Sequence, residues 1–394
     1  MLRCFSLRAI LVHHSFSALG GAELVAIATM EALREMEFKI YLVTITKPRA
    51  IAIKKTFNTN LEVENTKSIL PPNANYKKSI YSQLLLQLLT IPLVLSIKAD
   101  VIINTHADLP LPYFKRKTPT ISYVHFPSIP MLQSPNDYPS RYQRSPFWKL
   151  YYALYNITSS LVRTLSILTL KRSIVITNSE FSKKTIKCIV PESHPIIVRP
   201  PVDTRVFVDV LRSPHRENKV LVIGRIAPEK QLETAIEVCR LLDAGIKMSI
   251  IGSFDQSSRA FNYLRKMQGM IKQYGLEDRV KILVNQDKEE LKRQMMTAKV
   301  YLHTKYDEHF GISIVEAMSA GLIPIVPAYG GPAEYIPRQY HYRKPIEAVD
   351  LIKKYMNVPQ SEREVISEKA DKFSKENFKL KIKKIINHAL DHSV

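Results

Sequence analysis

A chain of 394 residues is longer than one hydrophobic core ordinarily supports, so two domains of similar size are the first expectation. With 45% hydrophobic and 24% charged residues the composition excludes extended disorder, and the three cysteines, Cys4, Cys188 and Cys239, are too scattered for a disulfide framework or a metal knuckle. The formal charge of +21 calls for an anionic partner, whether nucleic acid, anionic lipid or a phosphorylated substrate, without choosing among them.

In chain order, the short run Leu7–Val12 leads into His13-His14 with no small-residue cleavage site behind it, which reads as a first strand rather than a signal peptide. Apolar runs at 9–14, 39–45, 99–106, 118–126, 173–179 and 194–200 follow, with helices predicted over Ala22–Met36, Tyr81–Ile97 and Phe147–Leu170 between them. Several runs are apolar throughout, as strands covered on both faces should be. The stretch 80–97 holds 18 consecutive uncharged residues, the lower limit for crossing a bilayer. Gln83, Gln87, Thr90 and the internal Pro92 favour a buried or interfacial helix instead.

The segment 202–218 has mixed charge and no periodicity and reads as a linker. Beyond it the strand series restarts at 219–226, 247–253, 279–285, 299–305 and 322–328. The fold class is therefore α/β, with two parallel-sheet domains, and their ligands are expected at the carboxyl ends of the strands in a central cleft.

Three constellations carry chemistry. Gly20-Gly21 follows the first strand and opens the first helix, where the backbone can approach an anion and the helix dipole favours phosphate; a plain tight turn accounts for it equally well. The spacing is not the dinucleotide fingerprint, which disfavours a nicotinamide cofactor. At the corresponding place in the second half stands Gly224-Arg225-Ile226-Ala227-Pro228-Glu229-Lys230. Arg225 suits bidentate phosphate contacts and Lys230 a point charge, with a helix starting near Lys230; a surface pair of Arg225 with Glu229 is weighed evenly against that. The third is Glu308-His309-Phe310-Gly311-Ile312-Ser313-Ile314-Val315-Glu316, whose helix is expected to bury Ile312, Val315 and Met318 and to end at Gly321. Two glutamates eight residues apart suit hydroxyl recognition. A glycosidase acid–base pair would leave the phosphate-suited loops unexplained.

The order Gly20-Gly21, Arg225, Lys230, Glu308-x7-Glu316 and Gly330-Gly331-Pro332 resembles the retaining GT-B glycosyltransferases of group 1, or family 4, over nearly the whole chain. Its most specific part is the E-x7-E segment. Tyr123-Val124-His125-Phe126-Pro127, the strand 99–106, Thr177-Asn178-Ser179 and residues 309–321 resemble a narrower branch, the mannosyltransferases that extend lipid-linked oligosaccharide on the cytosolic face. The resemblance implies a Rossmann-like acceptor-side domain over 1–205, a donor-binding domain over 206–372, and a C-terminal helix over 373–394 crossing back to the first. It implies transfer of a hexose, mannose from GDP-mannose being favoured, to a lipid-linked saccharide. Gly20 and Gly21 would line the diphosphate and acceptor side, and His125 would contact the transferred sugar. Arg225 and Lys230 would hold the diphosphate, Glu308 the sugar hydroxyls and Glu316 the nucleotide ribose, with the amides of Phe310, Gly311 and Ile312 toward phosphate or sugar. One departure stands out: Ala22-Glu23 follows the paired glycines where the eukaryotic branch has a further glycine, so the donor loop differs in detail.

No Asp-x-Asp pair lies between apolar strands, so metal-independent binding without a cofactor is expected. The Pro-rich segment 134–146 reads as a long loop, functional or disordered, and the aromatic–basic run 147–152 after it, which holds the only tryptophan, suits a membrane interface; an ordinary packed surface helix is the competing reading. The excess positive charge suits anionic lipid headgroups or a polyisoprenyl diphosphate acceptor. The expected location is the cytoplasm, peripheral on the cytosolic face of a membrane. A basic nucleic-acid-binding protein would explain the charge but not the carboxylates and glycine loops, and nucleic acid is not an expected partner; a GT-B-shaped sugar-nucleotide epimerase is the other alternative.

Overall fold

The structure is a computed structural model describing residues 6–72, 74, 80–106, 118–127, 148–213, 215–254 and 257–391, with the backbone alone at 80–84, 148, 149, 151 and 152. The segment 134–146, read above as a loop, and Phe147 of the run read as a membrane interface lie outside the described residues, as do the side chains of Trp148, Lys149, Tyr151 and Tyr152. Contacts divide the chain into two units, Met1–Pro201 with Glu376–Val394, and Val202–Lys375.

The first unit is built on β1 (Arg8–Val12), β2 (Lys39–Thr46), β3 (Asn65–Leu70), β4 (Val101–Asn104), β5 (Thr120–Val124), β6 (Ile174–Thr177) and β7 (Ile196–Ile197). All pair in parallel in the order β3-β2-β1-β4-β5-β6-β7. The central strands β4 and β5 are buried along their whole length, which is why they read as unbroken apolar runs. Its helices are α1 (Gly21–Glu35), α2 (Ala50–Phe57), α3 (Ile80–Leu95), α4 (Trp148–Lys171) and α5 (Glu180–Ile189). The strand order reverses between β1 and β4, the switch point at which ligands of open α/β sheets gather. His13, Thr105 and His125 follow the ends of β1, β4 and β5 there.

The second unit begins with a short helix α6 (Val208–Leu211) and carries β8 (Lys219–Ile223), β9 (Lys247–Gly252), β10 (Val280–Val284), β11 (Val300–Leu302), β12 (Ile323–Pro327) and β13 (His341–Tyr342). Its parallel order is β10-β9-β8-β11-β12-β13, with the switch point between β8 and β11. Around it lie α7 (Glu233–Leu241), α8 (Ser258–Gln273), α9 (Lys288–Thr297), α10 (Ile312–Ser319), α11 (Pro345–Tyr355) and α12 (Gln360–Ala370). The last helix, α13 (Lys375–Asp391), returns to the first unit. Phe378, Ile382 and Ile386 join the core formed by β1, β2 and α1, and Lys379 and Lys383 each reach Glu35 at 2.6 Å.

Two expectations change. The segment 202–218 is no loose linker: Val202, Phe207 and Val210 are buried in the second unit's core. Arg216 donates to the carbonyls of Met295, Ala298, Val210 and Ala320 at 2.7–3.0 Å. A single helical turn shows no periodicity, and four carbonyl bonds to one guanidinium leave no trace in a sequence pattern. The helix expected near Lys230 begins at Glu233; Pro228–Lys230 is a 3-10 turn followed by Gln231 in the left-handed region at φ 52°.

Candidate active site

In the second unit the site is assembled by adjacent strands. β8 and β11 pair in parallel, so the loops leaving their carboxyl ends, near Lys230 and Glu308, meet although 78 residues separate them. The Thr304 hydroxyl donates to the Lys230 carbonyl at 2.8 Å and the Tyr306 amide to the Gln231 side chain at 3.0 Å. So clasped, Lys230 Nζ lies 2.6 Å from Glu308 Oε2.

Glu308 is buried, and burial alone would raise its pKa. The His303 ring, 3.5 Å from the same oxygen, together with Lys230 and Lys305 outweighs that and holds the carboxyl well below its ordinary value. Glu308 is therefore an ionised, paired carboxylate at neutral pH. Burial keeps His303 itself neutral, its pKa lowered despite Glu308. His303 is a partner that the sequence pattern did not single out; its place at the end of β11 was the available signal.

The loop from Glu308 to Gly311 rests on glycines. The Gly331 amide donates to the Glu308 carbonyl at 2.8 Å, and a Cβ at Gly331 would stand 1.9 Å from the His309 carbonyl oxygen. Gly330 is left-handed at φ +88°, and a Cβ there would stand 2.7 Å from the Glu308 carbonyl oxygen. Phe310 turns its ring into the core against Tyr335 and Phe373, so its side chain is structural and only its backbone faces the loop chemistry. Gly311, at φ +86°, is the N-cap of α10 and supplies no side-chain cap. The first amides of α10, beginning at Ile312, thus keep their dipole for an external acceptor. The helix buries Ile314, Val315, Ala317 and Met318, while Ile312 is half-buried, a shift from the expected inner face. It ends at Gly321 as expected, with amide bonds from Gly321 to Met318 and from Leu322 to Ala317.

Glu316 sits on the second turn of α10, half-buried, with no ion pair or side-chain hydrogen bond among the described residues. Burial raises its pKa to about 7; Lys288 opposes this and Asp203 adds to it. A group whose folded pKa exceeds its unfolded value takes up a proton on folding, so the stability it confers below pH 4.5 is lost as pH rises through 7. Glu316→Gln, which never ionises, is expected to raise the melting stability at pH 8 by about 1–3 kcal/mol, discounted for partial exposure, with little change at pH 5. Thermal unfolding of both proteins at the two pH values checks this; equal melting at pH 8 would refute it.

Arg225 lies apart from this cluster. It is exposed and pairs with Glu229 at 3.4 Å, the surface arrangement weighed in the sequence. Glu229 also meets Arg259 at 3.4 Å.

In the first unit Gly20 is the N-cap of α1, and its amide donates to the Glu23 carboxylate at 2.8 Å. Glu23 thereby occupies the amide that an anion would use, while Gly21 opens the helix. Gly20 is extended and a Cβ there would meet nothing closer than 3.6 Å, so its backbone does not demand glycine. His125 is held from both ends: its Nε2 lies 3.1 Å from the Thr105 carbonyl, and its own carbonyl accepts from Asn178 at 2.7 Å and Ser182 at 3.2 Å. This explains Thr177-Asn178-Ser179 structurally, since Ser179 also caps α5. Beside it lies His13, unmarked by the sequence reading except as the end of a strand. Its Nδ1 is 3.0 Å from the Thr105 hydroxyl, and that hydroxyl donates to the Val12 carbonyl. Burial, with His125 and His14, lowers the His13 pKa to about 3. Among the described residues no three His, Cys, Asp or Glu side chains are grouped to hold a metal ion.

Residues 203–373 match the family model described as Glycosyl transferases group 1. Among curated proteins, the GDP-Man:Man(3)GlcNAc(2)-PP-Dol alpha-1,2-mannosyltransferase of Xenopus laevis is 30% identical over 239 residues, covering 53% of this chain and 46% of that one. The mouse protein of that name is 28% identical over 238 residues, covering 54% and 46%. The chain thus matches about half the length of these relatives. Among solved structures, sucrose-phosphate synthase from Thermosynechococcus elongatus superimposes with TM-score 0.72 at 16% identity, covering 98% of this chain and all of that one. HepE of Anabaena, in complex with UDP and glucose, gives 0.69 at 16% identity, covering 97% and 99%. At such identity these show the fold, two Rossmann-like units of the GT-B type. Residues 203–373 are thus similar to the group 1 glycosyl transferases, and the chain as a whole takes a fold of the GT-B type.

Proposed function

We propose that the chain is a retaining hexosyltransferase that moves mannose from GDP-mannose to a lipid-linked saccharide, working peripherally on the cytosolic face of a membrane. The observation that carries the site assignment is the Lys230–Glu308 pair at the uncapped start of α10, with the partnerless Glu316 one turn on. The mannose and the lipid-linked acceptor rest on the names of the curated relatives. Lys230 faces the departing diphosphate, aided by the amides of Phe310, Gly311 and Ile312. Glu308 accepts from the sugar hydroxyls and Glu316 from the ribose. Arg225, on its exposed loop, leaves Glu229 to reach the diphosphate. His125, its ring and carbonyl both anchored, contacts the transferred sugar, and Gly20 and Gly21 serve the acceptor side. As charge develops on the diphosphate, a fixed cation and a helix start stabilise it without reorganising. With retention, a diphosphate oxygen takes the acceptor's proton on the same face, so no protein nucleophile is assigned. Donor binding is proposed to be metal-independent.

The test is titration of the full chain with a panel of GDP- and UDP-sugars, with and without EDTA, beside Lys230→Ala and Glu316→Ala. Tight binding of one sugar nucleotide, unchanged by EDTA and weakened in both variants, is expected. Binding abolished by EDTA overturns metal independence, and no binding to any sugar nucleotide overturns the whole reading.

A further inference from the structure

We propose that the first unit docks on an anionic phospholipid bilayer through an exposed apolar face shared by α3 and α4. The inference gives a physical surface to the membrane reading above and rests on that reading only for its purpose.

The helix α4 buries Tyr155, Ser159, Val162 and Ser166 toward the protein. On its outer side stand Leu150, Leu154, Ile157 and Leu161, exposed by 60%, 44%, 67% and 47%. Their spacing of four, three and four residues puts them in one line along the helix, where a surface helix ordinarily carries charge. α3 lies alongside, Leu88 packing with Tyr155 and Val162, and presents Leu85 and Leu89 at 43% and 45% exposure. Single exposed leucines are commonplace, but a line of four beside a second pair is a contiguous face.

Charge selects the occupant. The first unit holds 29 basic and 13 acidic residues, net +16, whereas the second holds 28 and 23, net +5. Most of the excess charge therefore belongs to the unit that bears the apolar face. The two helices themselves contain Lys149, Arg163 and Lys171 and no aspartate or glutamate. Two copies apposed through this face would bring like charges together, whereas anionic headgroups neutralise them. A helix with an apolar line and only basic charge lies in the plane of the interface rather than across it. Consistently, among the described residues no helix is long and apolar enough to cross a membrane.

The experiment is sedimentation of the full chain with vesicles of phosphatidylcholine and with vesicles of equal phosphatidylcholine and phosphatidylglycerol, without sugar donor or acceptor. Binding to the anionic vesicles, weakened by salt, is expected, and Leu154→Ser with Ile157→Ser should lower that affinity about tenfold or more. Both side chains are exposed, so the melting temperature should not move; if it does, Ile157→Ser alone serves. A wild-type chain that ignores anionic vesicles, or variants that bind as tightly as wild type, overturns the proposal. So does a concentration-dependent dimer broken by the same variants in the absence of vesicle binding, which would give the face to a second copy. Sugar-nucleotide binding measured on the same preparations separates the two readings: intact donor binding with no vesicle binding refutes the docking face alone.

Discussion

Lys230→Ala is expected to lower turnover by about 10²–10³-fold, the effect of removing one fixed donor from a developing oxyanion. Lys230 is held at both ends, its backbone carbonyl by Thr304 and its ammonium by Glu308 at 2.6 Å. In the proposed transfer a charge so placed would not reorganise as the diphosphate leaves, and that would make it worth more than a mobile surface lysine. The variant also leaves Glu308 with only His303 and Lys305 to offset its burial, so its carboxyl pKa should rise. Two signatures then separate electrostatic catalysis from simple damage. Steady-state rates across pH should show the low-pH limb moving upward in the variant, and KM for the donor should rise less than kcat falls. The stability loss should stay below the about 3–5 kcal/mol of a fully buried pair, since Lys230 is about a quarter exposed. A variant that keeps more than a tenth of wild-type kcat would remove Lys230 from the mechanism.

That pair shows what a sequence can and cannot convey. The glutamate spacing within residues 308–316 is local and could be seen as a pattern. The pairing of Glu308 with Lys230 depends on β8 lying beside β11, a topological fact spread over 78 residues. The strands that were easy to find, such as β4 and β5, are buried on both faces. The edge strand β3, NTKSIL, is polar and only half-buried, β13 is two residues long and α2 has eight residues; none carries a periodic signal long enough to read. His13 escaped notice because its role comes from Thr105 just past the end of a neighbouring strand, not from its own sequence context. Gly20-Gly21 was legible as a helix start, but which acceptor takes the Gly20 amide was not. Glu23 takes it in this protein, so an anion there must displace a carboxylate.

The largest effect on folding and binding together is expected from Gly331→Ala. Its Cβ would lie 1.9 Å from the His309 carbonyl oxygen and 2.6 Å from the carbonyl carbon, distances at which backbone has to move. Overpacking costs typically about 1–3 kcal/mol and more where the obstacle is main chain, so about 3 kcal/mol is expected here. For a unit of this size that lowers the melting temperature by roughly 6–12 °C. The segment that yields is the loop bearing Glu308, because Gly331 also donates to the Glu308 carbonyl. Whatever folds should therefore bind the sugar nucleotide at least about 100-fold more weakly, through a displaced Lys230–Glu308 pair rather than a missing one. Gly269→Ala is the control: it lies within α8 and its Cβ would meet nothing within 4 Å, so alanine there should stabilise by about 0.5–1 kcal/mol and leave donor binding alone. Calorimetry and donor titration on both variants decide the matter. If Gly331→Ala melts and binds like wild type, the loop tolerates the methyl group, and the glycine pair is not what holds Glu308 in place.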